Sequence, residues 1–381
     1  MQLKKLLEKK NLSKNDIIRL LSVKNKQEIE MIRKKAYFVM KQHCGEKVYY
    51  RGLLEFSNLC ANNCYYCGIR KGNKEIMRYS LEKEEITNIA AWCADNGYGS
   101  IVLQSGERRD SKFVDFVEDV TKKIKEKTKE KTKEKTKEKT KEKTKSDRLP
   151  NGLGVTLSVG EQDYAAYRRF FEAGAHRYLL RIETTNPELF KKTHPKNQTL
   201  KNRKKCLRIL KKIGYQIGSG VMIGLPGQTI EDLADDIMFF KKYDIDMIGM
   251  GPYITHRQTP MKRYGQETKN RKEDVFNLSL MMIAVTRIAL KDVNIATTTA
   301  LQALYPDGRE KGLQYGANVI MPLVTPKRVR KEYMLYDGKP CIDEDTDECK
   351  LCLLGRIKTI GRSVGFDEWG DPKHFLNRTK K

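Results

Sequence analysis

Tyr49-Tyr-Arg-Gly-Leu-Leu-Glu-Phe-Ser-Asn-Leu-Cys-Ala-Asn-Asn-Cys-Tyr-Tyr-Cys-Gly-Ile-Arg70 reads in two halves. Tyr49–Ser57 is a short, mostly apolar run, long enough for one strand and too short for a helix. Phe56 to Arg70 is a polar loop, marked by Asn58, Asn62, Asn63 and Gly68, that spaces three cysteines as C-x3-C-x2-C at Cys60, Cys64 and Cys67. A strand that hands its C-terminal end to a cysteine loop is a fragment of an α/β fold with chemistry at its strand ends.

Further runs of the same kind follow: Ser100–Ser105, Gly154–Val159, Arg177–Ile182, Gln216–Ile223, Asp246–Met250, Asn294–Thr298 and Asn318–Met321. Helical patterns separate them, at Leu81–Asn96, Ser111–Lys125, Gln162–Ala173, Leu200–Ile213, Ile230–Tyr243, Glu273–Leu290 and Arg309–Tyr315. Strand–helix alternation repeated about eight times argues for a (β/α)8 TIM-type barrel. A doubly wound sheet is the competing fold, which pattern alone does not exclude. We expect an N-terminal helical extension over 1–48, the barrel over 49–325, and a C-terminal cysteine-containing segment over 326–381.

Three thiolates on one short loop can hold three irons of a 4Fe-4S cube. With no fourth cysteine in the loop, the fourth iron stays open to a small chelating ligand. That arrangement suits S-adenosylmethionine (SAM), bound to the cluster and given one electron. A zinc knuckle normally takes four protein ligands. A disulfide framework fits poorly with nine cysteines in 381 residues and no secretory h-region in Met1–Lys10. Three core cysteines is the remaining bland reading, and the polarity of the loop opposes it.

The length allows one large domain or two ordinary ones, and the 39% hydrophobic fraction allows a substantial core. No stretch approaches a membrane span. Glu8, Asp16 and Glu28 argue against an acid-poor transit peptide, and a reducing cytoplasm is expected. The net charge of +26 raises nucleic-acid binding. Residues 122–148 contribute +8 of it, with 14 Lys/Arg against 6 Asp/Glu, and the rest stays basic. Its lysines are scattered without aromatic interleaving, so a Lys-rich proteome explains the charge as well as RNA does. Within that stretch KEKT repeats five times over 125–144 with no apolar residue. It reads as an insertion at about 122–148, either a solvated helical extension or a disordered loop.

The expected strands end in polar or glycine-rich tips: Gln104-Ser-Gly-Glu107, Ser158-Val-Gly-Glu161, Arg181-Ile-Glu-Thr184, Met222-Ile-Gly-Leu-Pro-Gly227, Gly249-Met-Gly-Pro-Tyr253 and Thr297-Thr-Thr299. One Glu or Arg after a strand often only caps a helix. Several such tips converging on one cysteine loop define a catalytic face.

The cysteine loop, with Tyr66 before Cys67, resembles the signature of radical SAM enzymes. Glu55-Phe-Ser-Asn58, Leu103-Gln-Ser-Gly-Glu107, Tyr178-Leu-Leu-Arg181, Glu183-Thr184, Gly224-Leu-Pro-Gly-Gln-Thr229 and Gly316-Ala-Asn-Val-Ile-Met-Pro322 sharpen this. Together they resemble the HydE maturases of FeFe-hydrogenase, which group with biotin synthase and methylornithine synthase. The resemblance covers about residues 15–370 apart from the KEKT repeat.

The resemblance implies roles. Cys60, Cys64 and Cys67 would ligate the cluster. Ser105-Gly106-Glu107 would receive the SAM amino group, Arg181 its carboxylate and Glu161 its ribose hydroxyls. Gly224 and Leu225, in a stretch from Gly220, would let backbone approach the adenine, beside Tyr66. Thr298 and Thr299, with Met222 and Tyr253, would line the substrate cavity. Cys341, Cys349 and Cys352, spaced C-x7-C-x2-C, resemble an accessory site for a second iron–sulfur cluster (4Fe-4S or 2Fe-2S), with zinc or a vestigial site as alternatives. Cys44, Cys93 and Cys206 read as core or surface thiols. None of the five histidines takes a role, and His256 is the one near the mouth.

The implied reaction reductively cleaves SAM to methionine and a 5′-deoxyadenosyl radical, which attacks a cysteine-bound iron carbonyl/cyanide precursor. The implied partners are HydG-like and HydF-like maturases and a reductant such as ferredoxin or flavodoxin, with no membrane and no nucleic acid. Two other readings stand beside this one: a methylornithine synthase-like lysine mutase, and a basic RNA-binding protein with a structural metal site.

Overall fold

Apolar runs and amphipathic stretches become strands and helices almost run for run. The computed structural model describes residues 2–138 and 152–379, with side chains for all of these except 130–138 and 347–349. In chain order the strands are β1 (Lys47–Ser57), β2 (Ser100–Ser105), β3 (Gly154–Ser158), β4 (Ala175–Leu179), β5 (Gln216–Ser219), β6 (Met222–Ile223), β7 (Met247–Gly249), β8 (Gly251–Pro252), β9 (Asn294–Thr297), β10 (Val319–Ile320) and β11 (Ser363–Val364). Eight of them form a parallel ring in the order β1-β2-β3-β4-β5-β7-β9-β10, and β10 pairs back onto β1 to close it. The doubly wound alternative therefore falls, and the fold is a (β/α)8 barrel.

The expected strand Gln216–Ile223 is split. The chain leaves the ring after Ser219 and re-forms as β6, which pairs with β8 above the barrel rim. Gly220 sits at the break, where any Cβ would collide with the Gly249 carbonyl. The close crossing of two backbones, invisible in the pattern, makes the break.

Helix boundaries follow local caps. Thr199 caps Leu200–Ile213, and Thr229 with Asp232 forms a capping box on Ile230–Tyr243. The N-terminal segment forms three helices, Gln2–Glu8, Lys14–Leu21 and Lys26–Cys44. They bury Ile17, Leu20, Ile32 and Met40 in the common core. No helix among the described residues is long and apolar enough to cross a membrane.

The helix expected over Ser111–Lys125 runs on to Glu138, into the KEKT repeat. Its start is not solvated on all sides. Thr128 is fully buried, donating to the Ile124 carbonyl and accepting from Leu153 N–H at 3.0 Å. Lys125 donates to the Leu153 carbonyl at 2.9 Å. The first repeat unit thus belongs to the packed domain, because a threonine hydroxyl and a lysine stem can be buried where their polar ends find partners. Repeat residues 139–144, and the expected insertion up to 148, lie outside the described residues.

The C-terminal segment closes the bottom of the barrel. β11 pairs with the first residues of β1, and Trp369–Asp371 then cross the strand starts. Two arginines, Arg51 on β1 and Arg177 on β4, are fully buried there. Arg177 donates to Gln216 at 3.0 Å and to the Trp369 carbonyl at 2.7 Å, and pairs with Asp371. The Gly370 carbonyl accepts from Asn294 at 2.7 Å and from Arg51 at 3.3 Å. The Trp369 indole stacks on His176 at 4.4 Å, with Lys125 4.8 Å over its ring.

Breaking a buried pair leaves an uncompensated charge. Asp371→Ala is therefore expected to cost about 3–5 kcal/mol. Anaerobic urea unfolding measures this, and a loss below about 1 kcal/mol would mean the tail does not neutralise the barrel floor.

Candidate active site

The cysteine loop leaves β1 at the open end of the barrel and is held by backbone-directed bonds. Asn58 donates to the carbonyls of Met77 and Glu332, each at 2.8 Å. Arg78 donates to the carbonyls of Asn58, Ile69, Arg70 and Asn73 at 2.6–3.0 Å. Gly68 is pressed between the Met334 carbonyl and the His256 ring, where no Cβ fits. The loop is thus shaped before any ligand arrives.

Burial pushes all three loop thiols up. Cys67 rises to about 12, with a Cys60 thiolate as the second cause. Cys64 rises well above the usual range through burial and then through Cys67, and Cys60 is also raised. Cys60 thus opposes ionisation of Cys64 and Cys67, and Cys67 that of Cys64, so the trio suits a cationic group to share. No three His, Cys, Asp or Glu side chains among the described residues converge as they would on a single metal ion. A cubane takes one thiolate per iron and so accepts more widely set sulfurs, and the donor set fits a 4Fe-4S cluster.

Below the loop, a partly open cavity of about 230 Å3 occupies the upper barrel. Of the residues expected at the site, Tyr66, Arg181, Met222, Tyr253, Thr298 and Thr299 line it. The hydroxyls of Tyr253 and Thr298 are buried and have no partner among the described residues, so they are available to a ligand. Ser105, Gly106 and Glu107 adjoin the loop: Gly106 N–H donates to Ser57 O at 2.9 Å, and Ala61 N–H to Glu107 O at 2.8 Å. Gly224 and Leu225 form the turn after β6, both N–H groups donating to Gln228 Oε1. Leu225 is buried with Met222, Tyr253 and Met261, and Tyr66 packs on this cluster.

Like Ser105, Gly106, Glu107, Gly224 and Leu225, Glu161 does not line the cavity; its carboxylate is taken by Arg203 at 2.6 Å, Arg109 at 3.0 Å and Asn202 at 2.5 Å. Arg109 also holds Glu107 at 2.6 Å, so these residues brace the tips of β2 and β3. The carboxylate on the wall is Glu183, engaged by Arg181 at 3.0–3.1 Å. Glu183 has φ 65°, left-handed backbone that a non-glycine residue adopts at a cost of about 1–3 kcal/mol. Bonds from its N–H to the Gly220 carbonyl at 3.0 Å and from Met222 N–H to its carbonyl at 2.9 Å hold it there.

Sequence reasoning missed several wall residues. Glu55 and Lys339 form a fully buried pair, Nζ lying 2.6 and 2.7 Å from the two carboxylate oxygens. Burial pushes the Glu55 carboxyl up, against the lowering effect of Lys339. An acid inside the apolar run Tyr49–Ser57 was the available signal; nothing local marked Lys339. His194 was also missed. Its Nδ1 faces the Phe190 carbonyl at 3.1 Å, so the proton belongs there and Nε2 is left to accept from the Tyr66 hydroxyl at 3.4 Å. Burial, then Arg203, lowers this imidazole to about 3, which keeps it neutral.

The C-terminal cysteines are spread in character. Cys341 is buried, 3.6 Å from an Arg309 guanidinium nitrogen, whereas Cys352 is exposed on helix Thr346–Thr359. The Cys349 side chain lies outside the described residues. Cys93 and Cys206 are buried and Cys44 is half-buried.

A parallel barrel whose first strand ends in a three-cysteine loop above an interior cavity defines the class, a radical SAM enzyme. Residues 54–240 match the pattern of the radical SAM superfamily. The chain is 40% identical, over 97% of its own length and 97% of the relative's, to the FeFe-hydrogenase maturase subunit HydE of Thermotoga maritima. The chain belongs to the HydE family. It is also 27% identical to the 3-methylornithine synthase of Methanosarcina acetivorans, over 94% of this chain and 91% of that one. The crystal structure of methylornithine synthase superposes with a TM-score of 0.76 at 24% identity, covering 96% and 98% of the two chains. That of the maturase HydG from Carboxydothermus hydrogenoformans gives 0.72 at 19% identity, covering 94% and 77%. The two solved structures speak to the fold. Family membership implies a 4Fe-4S cluster and SAM.

Asp236, on helix Ile230–Tyr243, accepts from both the N–H and the hydroxyl of Thr185 at 2.7 and 2.6 Å and so supports the Glu183 tip. Its second oxygen is buried without a partner, and burial raises its pKa to about 7. A raised acid binds its proton more tightly when folded, so stability is greatest below the unfolded value near 4. Stability then falls as pH climbs from about 4 to about 7. Asp236→Asn keeps the oxygen that Thr185 uses and is expected to flatten that part of the stability–pH curve. Unfolding midpoints at pH 5 and pH 7.5 measure it, and an unchanged slope would show that another group sets it.

Proposed function

We propose that this chain is a maturase of the FeFe-hydrogenase active centre, acting on a cysteine-bound iron carbonyl/cyanide precursor. The observation that carries this is the end-to-end 40% identity to a HydE protein. It coincides with a loop of three half-buried thiols set over a cavity with a charged wall. Cys60, Cys64 and Cys67 would hold the cluster. When bound, the cluster supplies SAM with the electron that breaks its S–C5′ bond, giving methionine and a 5′-deoxyadenosyl radical.

The rest falls to the protein. Ser105-Gly106-Glu107, beside Cys60, suits the SAM ammonium, and Arg181 suits a carboxylate. Tyr66, held by His194, packs against Leu225 and offers a face for the adenine. Glu183, on the cavity wall, is the carboxylate nearer to ribose hydroxyls, and its bonds to Arg181 would orient it for them. Placing the reaction inside the barrel limits the water around a reactive intermediate. Arg181–Glu183 and Glu55–Lys339 place both signs of charge on the wall, which matches a ligand carrying an amino-acid ammonium and carboxylate. Thr298, Thr299 and Tyr253 add hydroxyls. We further propose an accessory cluster at Cys341, Cys349 and Cys352, a cytoplasmic setting, and exchange with HydG-like and HydF-like maturases. The fold likeness to methylornithine synthase supports a second reading, a lysine mutase.

Anaerobic reconstitution tests the first reading. Wild type is expected to release 5′-deoxyadenosine with the HydG product and no methylornithine from lysine, and Cys64→Ala to release neither. Cleavage of SAM by Cys64→Ala would overturn the cluster assignment, and methylornithine would select the mutase. Glu183→Gln leaves Arg181 without its counter-charge and is expected to lower kcat/KM by about 10–100-fold. Retention of wild-type kinetics would remove Glu183 from the site.

A further inference from the structure

Outside the cavity, on the rim of the barrel, a groove of about 520 Å3 is lined by Arg257, Lys262, Lys269 and Lys272, with Asp337 as its acid. All four cations are exposed. None of the four forms an ion pair among the described residues, although the surface elsewhere is rich in pairs such as Arg328–Glu85 and Lys83–Asp119. Asp337 does not neutralise them by side-chain contact. It accepts from the Arg257 backbone at 2.9 Å and faces His256 at 3.9 Å.

The groove abuts the cysteine loop. Arg257 follows His256, whose ring is packed on Gly68, the residue after Cys67. Gln258 bridges to Asn73 at 2.9 Å and to Glu75 at 2.6 Å on the loop's return. That return adds exposed Lys71 and Lys74. Unneutralised positive charge therefore runs from the groove onto the loop, across more surface than a small anion covers. Uncompensated like charge near a reaction centre costs stability and persists where it attracts an oppositely charged partner.

We propose that this face docks an acidic one-electron donor protein. Such a donor would pass its electron inward across the packed His256–Gly68 contact toward Cys67. The inference rests on the reading that Cys60, Cys64 and Cys67 carry a reducible cluster. The step is one electron, oxidising the donor and reducing the cluster, with no bond made or broken.

The test compares two reductants on the full chain after anaerobic reconstitution. Wild type and the Arg257→Gln/Lys262→Gln/Lys269→Gln/Lys272→Gln variant are driven either by dithionite or by limiting reduced flavodoxin, an acidic protein. 5′-Deoxyadenosine is counted and cluster content is checked by iron analysis. The expected result is an equal dithionite-driven rate within about twofold, and a flavodoxin-driven kcat/KM about tenfold or more lower with a weaker dependence on salt. Equal flavodoxin-driven rates would overturn the proposal. So would equal loss with both reductants in a protein of unchanged cluster content, which would assign the groove to substrate or SAM passage. A wild type with a full cluster that forms no 5′-deoxyadenosine under dithionite would instead refute the radical SAM reading itself.

Discussion

The register between β10 and β1 is the constraint on which the rest depends. Tyr49 pairs with Val319 and Tyr50 with Ile320, a bridge from Leu53 to Leu323 extends the seam, and together they turn a sheet into a ring. A closed ring has no open edge and an interior that water does not cross. Every strand tip then faces one point, and the cysteine loop, the Arg181–Glu183 tip and the Thr298–Thr299 tip become neighbours. Without that closure the same residues would lie along a rim tens of ångströms long.

Closure makes buried charge both costly and useful. The barrel holds ion pairs at both levels, Arg177–Asp371 at the floor and Arg181–Glu183 with Glu55–Lys339 around the cavity. Arg181 and Glu183 are neighbours on one strand tip, whereas Arg177 and Glu55 are taken out of water and matched by partners from a distant part of the chain. The matching partners Asp371 and Lys339 both come from the C-terminal segment. That segment therefore seals the floor, then bounds the cavity, and carries Cys341 two residues past Lys339.

Much of the architecture was legible because it rests on local chemistry. Short apolar runs and capped amphipathic runs specify strands and helices residue by residue. Leu200–Ile213 and Ile230–Tyr243 were read to the residue because threonine caps and their partners lie within one turn. The break at Gly220 was not legible, because its cause is a carbonyl from another strand. Nor was the burial of Thr128 and Lys125, since a repeat without apolar residues gives no sign that Leu153 and Trp369 will cover it.

The site divides in the same way. The sequence by itself determined that three cysteines share one loop at C-x3-C-x2-C spacing and that glycine-rich tips follow the strands. These are covalent spacings within one loop or one strand end, and folding does not alter them. Only the tertiary structure decided which carboxylate faces the cavity. Glu161 and Glu183 both follow strands, and pattern does not separate them. Arg203, from a helix far along the chain, occupies one and leaves the other beside Arg181. Lys339 and His194 likewise acquire their meaning from Glu55 and Tyr66, because pairing in a low-dielectric interior depends on position in space and not on position in the chain.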